Sequence, residues 1–358
     1  MPSYHKSAVF QRKRNRATID SMSCNDEGKT MRKTVLFDAE GGPDVLQLVD
    51  VEIGEPGPGE VRIDVEAIGL NRAEAMFRAG IYFERPDQFP AKLGYSASGV
   101  VERTGPGVTE FAPGDRVSTI AAFSMRDYGV YGEQAIVPAS AVLRRPDGLG
   151  AAETVALWGP FLTAYGAIVD EGGVRPGDVV LITAASSSVG LAAIDVVNHI
   201  GAVPIAATRT AAKRERLLAA GAAHVIVTNE EDITARTLEI TGGTGAEFVF
   251  DAVAGEGVRG LAAATAKGGT LVVYGALGGR ETPFPLWFVP TMRLFNAFDL
   301  TRDPKRLRRA EHFIRAGVRA GTFRPRVDRT FDLAEVAESH RYLEANGQFG
   351  KVVVTVGG

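Results

Sequence analysis

The segment Asp178 to Ile194, DVVLITAASSSVGLAAI, constrains this chain more than any other: an apolar run, a turn of small residues, then an apolar stretch at helical spacing. It opens a regular alternation. The runs VPIAAT, HVIVT, FVFDA and TLVVYGA follow, separated by amphipathic stretches such as AAKRERLLAAGA and by helices expected from Glu231 and Glu256. Strands that alternate with helices lie parallel, because each crossover returns the chain to the same end of the sheet. The expectation for this half is an α/β, doubly wound parallel sheet.

The preceding half is built differently. From Thr34 to about Val142 short β-rich segments (TVLF, VLQLVDVEI, EVRIDVEAIGL, ASGVVERTG, DRVSTI, EQAIVP) alternate with turn signals at Gly41-Gly42-Pro43, Pro56-Gly57-Pro58-Gly59, Gly105-Pro106-Gly107 and Pro113-Gly114-Asp115. That spacing predicts a small, irregular β barrel or sandwich. Ala152 to Val169 reads as one helix, RLFNAFDL as a further strand, Pro304 to Arg319 as a basic helix, Leu333 to Glu344 as another, and Lys351 to Val356 as a closing strand. A strand placed after the α/β region can return to the first domain and make it discontinuous. A length of 358 residues suits two domains.

Residues 1–30 stand apart. They are polar throughout and carry six basic and three acidic side chains, concentrated in QRKRNR. They are expected to be a disordered basic tail. Asp20, Asp26 and Glu27 argue against a mitochondrial presequence, and the tail lacks the apolar core of a secretory signal. Met31, which opens the first strand, is the expected functional start. The whole chain has a net charge of −3, so no global field recruits nucleic acid or an anionic membrane. The single cysteine, Cys24, excludes an internal disulfide and any site made of several thiolates. The most apolar window, Val189 to Thr208, is interrupted by Asp195, Asn198 and His199 and is not a transmembrane helix.

A turn of small residues lets backbone N–H groups approach a pyrophosphate, and the following helix N-terminus favours its negative charge. Against G-x-G-x-x-G the positions fall on Ala185, Ser187 and Gly190, so only the third glycine is present. A small-residue turn in any strand-to-helix connection gives the same pattern. The second strand adds a separate signal. Where an NAD site places an acid on the ribose 2′-hydroxyl, this chain reads Ala206-Ala207-Thr208-Arg209-Thr210, with Lys213 one helical turn on. Arg209 and Lys213 can instead hold a 2′-phosphate, which selects NADP(H) as the cofactor. The plainer alternative is that the cations of AAKRERLLAAG form a solvated face.

Taken in order, GGPDVLQL, GLNRAEAMFRAGIY, LGYSASGVVERTGPGV, FAPGDRV, LTAYGAI, the nucleotide turn, FDAVAG, KGGTLVVYGALGG and FGKVVV resemble the medium-chain dehydrogenases/reductases, in their zinc-free quinone oxidoreductase and enoyl reductase branch. The resemblance spans Met31 to Val356. It implies a GroES-like β domain of residues 31–153 and 322–358, a Rossmann domain of residues 154–321, a cofactor cleft between them, and a cytoplasmic homodimer acting on a small molecule. It also implies cofactor contacts at Thr163, Ser186, Ser187, Ser188, Val189, Gly190, Thr208, Arg209, Lys213, Thr228, Ala276 and Lys351. Thr228 stands where some relatives have a tyrosine on the adenine.

Zinc relatives place a Cys where this chain has Asn71, and Gly-His-Glu where it has Gly94-Tyr95-Ser96. The expected metal content is none, and His5, His199, His224, His312 and His340 show no ligand spacing. Such a plan suits hydride addition to an activated C=C bond or a quinone, with charge building on an oxygen that needs donors. Asn71 and Tyr82 match the polar positions beside the nicotinamide, Tyr82 on the donor tyrosine of enoyl reductases. Trp158, Phe161, Phe123, Tyr128 and Trp287 are candidate pocket aromatics. The alternatives are a zinc-free alcohol or ketone reductase, and a non-catalytic NADP(H)-binding or RNA-binding protein of the same fold.

Overall fold

Alternating apolar residues make the first half a set of one-faced strands. In Glu60–Gly69 (introduced below as β3) the side chains of Val61, Ile63, Val65 and Ala67 are all buried on one face. The computed structural model describes residues 31–279, 281–287 and 290–357, so the expectations about the tail and Cys24 lie outside the described residues. Met31–Phe37 (β1) and Leu46–Glu52 (β2) form an antiparallel ribbon. Glu60–Gly69 (β3), Ala97–Thr104 (β4), Arg116–Thr119 (β5), Gln134–Pro138 (β6) and Val142–Arg144 (β7) belong to one strongly bent sheet, with β6 pairing on β3.

Val179–Ile182 (β8), Val203–Thr208 (β9), His224–Val227 (β10), Ala246–Asp251 (β11), Thr265–Val273 (β12) and Thr291–Leu294 (β13) form a second sheet. Its order is β10-β9-β8-β11-β12-β13, and every pairing is parallel. Val180, Leu181 and Ile182 are each fully buried, as expected for a central strand covered by helices on both faces. The architecture is therefore the α/β one read from the alternation. Val327–Asp332 (β14) and Lys351–Thr355 (β15) leave this sheet and join the first: β15 runs antiparallel to the end of β3, pairing Val353 with Gly69.

Two local expectations are corrected. The single helix read over Ala152 to Val169 is three pieces: Ala151–Val155, Trp158–Tyr165 and a π-helical turn Gly166–Asp170. Pro160 has no N–H for the carbonyl of Ala156, so an unbroken helix cannot pass through it, whereas the first turn of a new helix tolerates it. RLFNAFDL is strand only to Leu294. Asn296 then accepts the N–H of Phe298 at 3.1 Å and starts the helix Ala297–Thr301. That helix carries Phe298 into the core of the β-rich half, and the Thr301 hydroxyl donates to Ala121 O at 2.6 Å.

The helix Arg72–Arg78 is clamped to the helix Val336–Glu344 by a buried arginine. Arg78 donates to Gly41 O at 3.0 Å, to Glu344 Oε1 at 2.7 Å and to His340 Nδ1 at 2.7 Å. His340 is fully buried, and its pKa is pushed down to about 3 by burial and then by the Arg78 and Arg72 charges. An imidazole that accepts from arginine must be neutral, with its proton on Nε2. In the unfolded chain His340 binds a proton near pH 6.5, and in the folded chain only near pH 3. The contribution to stability is thus intact above pH 6.5 and is lost as pH falls below it. Between pH 7 and pH 5 the protein should lose about 2 kcal/mol more than its His340→Asn variant, which keeps an acceptor but cannot titrate. Urea unfolding at the two pH values measures this, and equal losses would exclude His340.

Candidate active site

The turn after β8 is shaped by close approach. Ala184 has a left-handed φ of 45°, and a Cβ on Gly190 would lie 2.6 Å from Ala185 Cα, so only glycine lets the helix Ser188–His199 seat against the turn. Ser187 caps that helix, its hydroxyl accepting the Gly190 N–H at 3.0 Å. Ser188 and Val189 follow on the first turn, both partly exposed, and Ser186 is buried.

The second strand reaches this turn through a lysine. Thr208 ends β9 buried, and beyond it Lys213 Nζ donates to Ser186 Oγ at 3.0 Å and to Gln348 O at 2.9 Å. Arg209 Nη2 donates to Asn346 O at 3.3 Å. Burial, and next the neighbouring Arg209 charge, pull the Lys213 amine below its usual pKa. Two cations therefore flank a serine turn at the end of β9, where an NAD site would carry an acid. These donors fit an adenine dinucleotide bearing a 2′-phosphate. Thr228, exposed at the end of β10, spends its N–H and its hydroxyl on Thr208 O at 2.8 and 3.3 Å. Ala276 lies partly exposed on the turn after β12, where its carbonyl accepts the Gly279 N–H at 3.3 Å.

Thr163 donates to Gly159 O at 2.9 Å, and Gly159 faces the oxygens of Asn71 and Ser96, each 3.8 Å from where its Cβ would be. Here the second group of residues begins. Asn71 starts the helix Arg72–Arg78 and its amide nitrogen donates to Glu74 Oε1 at 2.7 Å, Gly69 O at 3.2 Å and Ser96 Oγ at 3.2 Å. Its oxygen accepts from Lys351 Nζ at 2.5 Å. Glu74 is fully buried and also accepts the backbone N–H groups of Asn71 and, at 3.1 Å, Tyr95. Burial raises the Glu74 pKa against the pull of Lys351, and burial lowers that of Lys351 to about 8 against the pull of Glu74. Glu74 was not singled out from the sequence, although Asn-x-x-Glu ahead of an apolar run is a helix-start signature that places it here.

Tyr82 lies in the loop beyond that helix, partly exposed, its ring 4.3 Å from that of Phe83. Burial pushes the pKa of its hydroxyl up, and the nearby Glu84 and Glu74 charges raise it further. Tyr82 packs against the same apolar cluster as Tyr95, whose N–H is on Glu74 and whose hydroxyl is on Glu84. The candidate pocket aromatics divide. Trp158 and Phe161 are 1% exposed and belong to the core of the second half, and Trp287 is 88% exposed. Phe123 packs on Tyr95 with ring centres 5.5 Å apart, and Tyr128 donates to Glu60 Oε1 at 2.7 Å. Among the described residues no three His, Cys, Asp or Glu side chains gather as a metal site.

A parallel α/β sheet with a small-residue turn, joined to a β sheet completed by the last strand, is a dehydrogenase plan. The chain belongs to the medium-chain dehydrogenase/reductase family, in its quinone oxidoreductase-like branch. Residues 57–147 match the alcohol dehydrogenase GroES-like domain and residues 220–354 the zinc-binding dehydrogenase family. A 2-haloacrylate reductase of Burkholderia sp. is 30% identical over 327 residues, covering 88% of this chain and 96% of that protein. A quinone oxidoreductase of Pseudomonas aeruginosa is 29% identical, covering 90% and 99%. The structure of Escherichia coli quinone oxidoreductase complexed with NADPH superposes with a TM-score of 0.84 at 26% identity, covering 90% of this chain and 99% of that one.

Among the described residues, Asn71 is the one hydrogen-bond partner of the buried Lys351 ammonium. Asn71→Ala should cost about 3 kcal/mol, because a buried charge loses its acceptor. Replacing both Lys351→Met and Glu74→Gln as well should return a large part of that loss, since both members of the buried charge pair are then gone. Urea unfolding of Asn71→Ala, of the Lys351→Met/Glu74→Gln variant and of all three changes together tests this; additive losses would refute the coupling.

Proposed function

We propose that this protein is an NADPH-dependent, zinc-independent reductase of activated C=C bonds or quinones. The observation that carries the reading is the bonding of Asn71 to Ser96 at 3.2 Å, where zinc relatives have the Cys ligand and the Glu of Gly-His-Glu. Tyr95, in the place of the His, donates its hydroxyl to Glu84. Side chains bonded to one another in this way leave a polar pocket of neutral donors in place of a Lewis acid. The family relatives named as 2-haloacrylate reductase and quinone oxidoreductase support the substrate class.

When bound, NADPH supplies the hydride. The Ser186–Ser188 turn and the helix it starts would hold the pyrophosphate, with Arg209 and Lys213 on the 2′-phosphate and Thr163 beside the nicotinamide. The Tyr82 hydroxyl would donate to the substrate oxygen on which charge accumulates. Asn71, whose amide nitrogen faces three acceptors, would fix the pocket wall rather than donate. In this reading residues 31–153 and 322–358 form the catalytic domain and residues 154–321 the nucleotide domain, supported by the return of β15 to β3. A cytoplasmic homodimer is also proposed. Exposed Leu286, Trp287 and Leu294 on and beside the edge strand β13 support self-association.

Tyr82→Phe should lower kcat on an enone by roughly 100- to 1000-fold with NADPH affinity unchanged, the cost of one lost oxyanion donor. Full turnover in that variant would remove Tyr82 from the mechanism. Arg209→Asp should weaken NADPH and favour NADH, because a carboxylate repels the 2′-phosphate and can accept from a ribose hydroxyl. Titration of both cofactors into the variant measures the exchange, and unchanged discrimination would dismiss Arg209.

A further inference from the structure

Tyr82 sits on a stretch with no helix or strand between the helix Arg72–Arg78 and β4, so something other than backbone pairing must hold it. The contacts of Glu84, two residues on, supply that restraint. Its carboxylate accepts the Ser124 hydroxyl at 2.6 Å, the Tyr95 hydroxyl at 2.8 Å and the Met125 N–H at 3.0 Å. Among the described residues no basic side chain pairs with Glu84, so three neutral donors satisfy it and tie the loop to two separate parts of the β domain. Phe83 adds an apolar contact, its ring 5.8 Å from that of Phe298.

The Tyr95 hydroxyl spends its one donor on Glu84. We propose that Glu84 is a positioning residue for Tyr82: by tying the loop two residues on to Tyr95, Ser124 and Met125, it fixes the place of the Tyr82 hydroxyl before substrate arrives. On binding, the Tyr82 hydroxyl would then donate to the substrate oxygen. This inference rests on the reading of Tyr82 as the donor.

The experiment is a double-mutant cycle on the full-length protein, with NADPH and an enone reduced by the wild type. Glu84→Ala should lower kcat about 10- to 100-fold, the effect of a misplaced donor, with little change in KM or NADPH affinity. In the Tyr82→Phe background the same substitution should change kcat less than about twofold, because there is no hydroxyl left to position. Glu84→Gln, which keeps an acceptor oxygen in the same volume, should recover part of the rate and guards against simple loss of folding. Equal losses in both backgrounds would overturn the proposal. So would full activity of Glu84→Ala while Tyr82→Phe is impaired, an outcome that leaves the donor reading standing. Full activity of Tyr82→Phe would instead remove the donor reading, and this inference with it.

Discussion

The buried ammonium of Lys351 and its backbone neighbour Gly350 join the two halves of the site. Gly350 donates its N–H to Ser186 O at 3.0 Å and bridges Ser187, so it holds the nucleotide turn. One residue later Lys351 Nζ reaches Asn71, and β15 runs on against β3. Gly350 has a φ of 124°, and a Cβ there would lie 2.5 Å from Arg326 O, so no other residue fits without displacing backbone. The last strand thus does more than close a sheet. It sets the spacing between the turn that would hold the cofactor and the helix that carries Asn71 and Glu74.

The fold was legible because its signals are local and periodic. Five of the six strands of the parallel sheet follow from apolar runs between amphipathic stretches, and the basic helix Pro304–Arg319 has the bounds read for it. The breaks were not: Pro160 splits a segment with unbroken apolar periodicity, and Asn296 ends a strand that reads as apolar through Phe298. In the site, the small-residue turn and the basic end of β9 could be read because each is a contiguous stretch: Ser187 caps the helix after β8 and Lys213 Nζ reaches Ser186. The Glu84 contacts could not, since their partners lie 11, 40 and 41 positions away across irregular loops. Lys351 was marked by resemblance alone, and its bond to Asn71 spans 280 positions.

Asn71, Tyr95 and Ser96 are neutral groups that bond to each other or to nearby carboxylates. Burial in turn makes the remaining polar groups matter. An unmet donor or acceptor in such a place costs more than a good hydrogen bond gains, so each side chain is specified by its neighbours. Glu74 is the clearest case: a fully buried carboxylate whose place is fixed by Asn71, Tyr95 and the nearby Lys351 charge.

The central claim is hydride delivery to an activated double bond, and isotope transfer tests it most directly. With NADPH deuterated at the transferable position of the nicotinamide and a cyclic enone as substrate, the account predicts one deuterium on the β carbon of the saturated ketone. Hydrogen from solvent should appear at the α carbon. Deuterium on the carbonyl carbon would mark a ketone reductase instead. NADPH binding with no label in the product of any enone or enoyl thioester, and no NADPH consumed with a quinone, whose hydroquinone would lose the label to water, would contradict the account altogether.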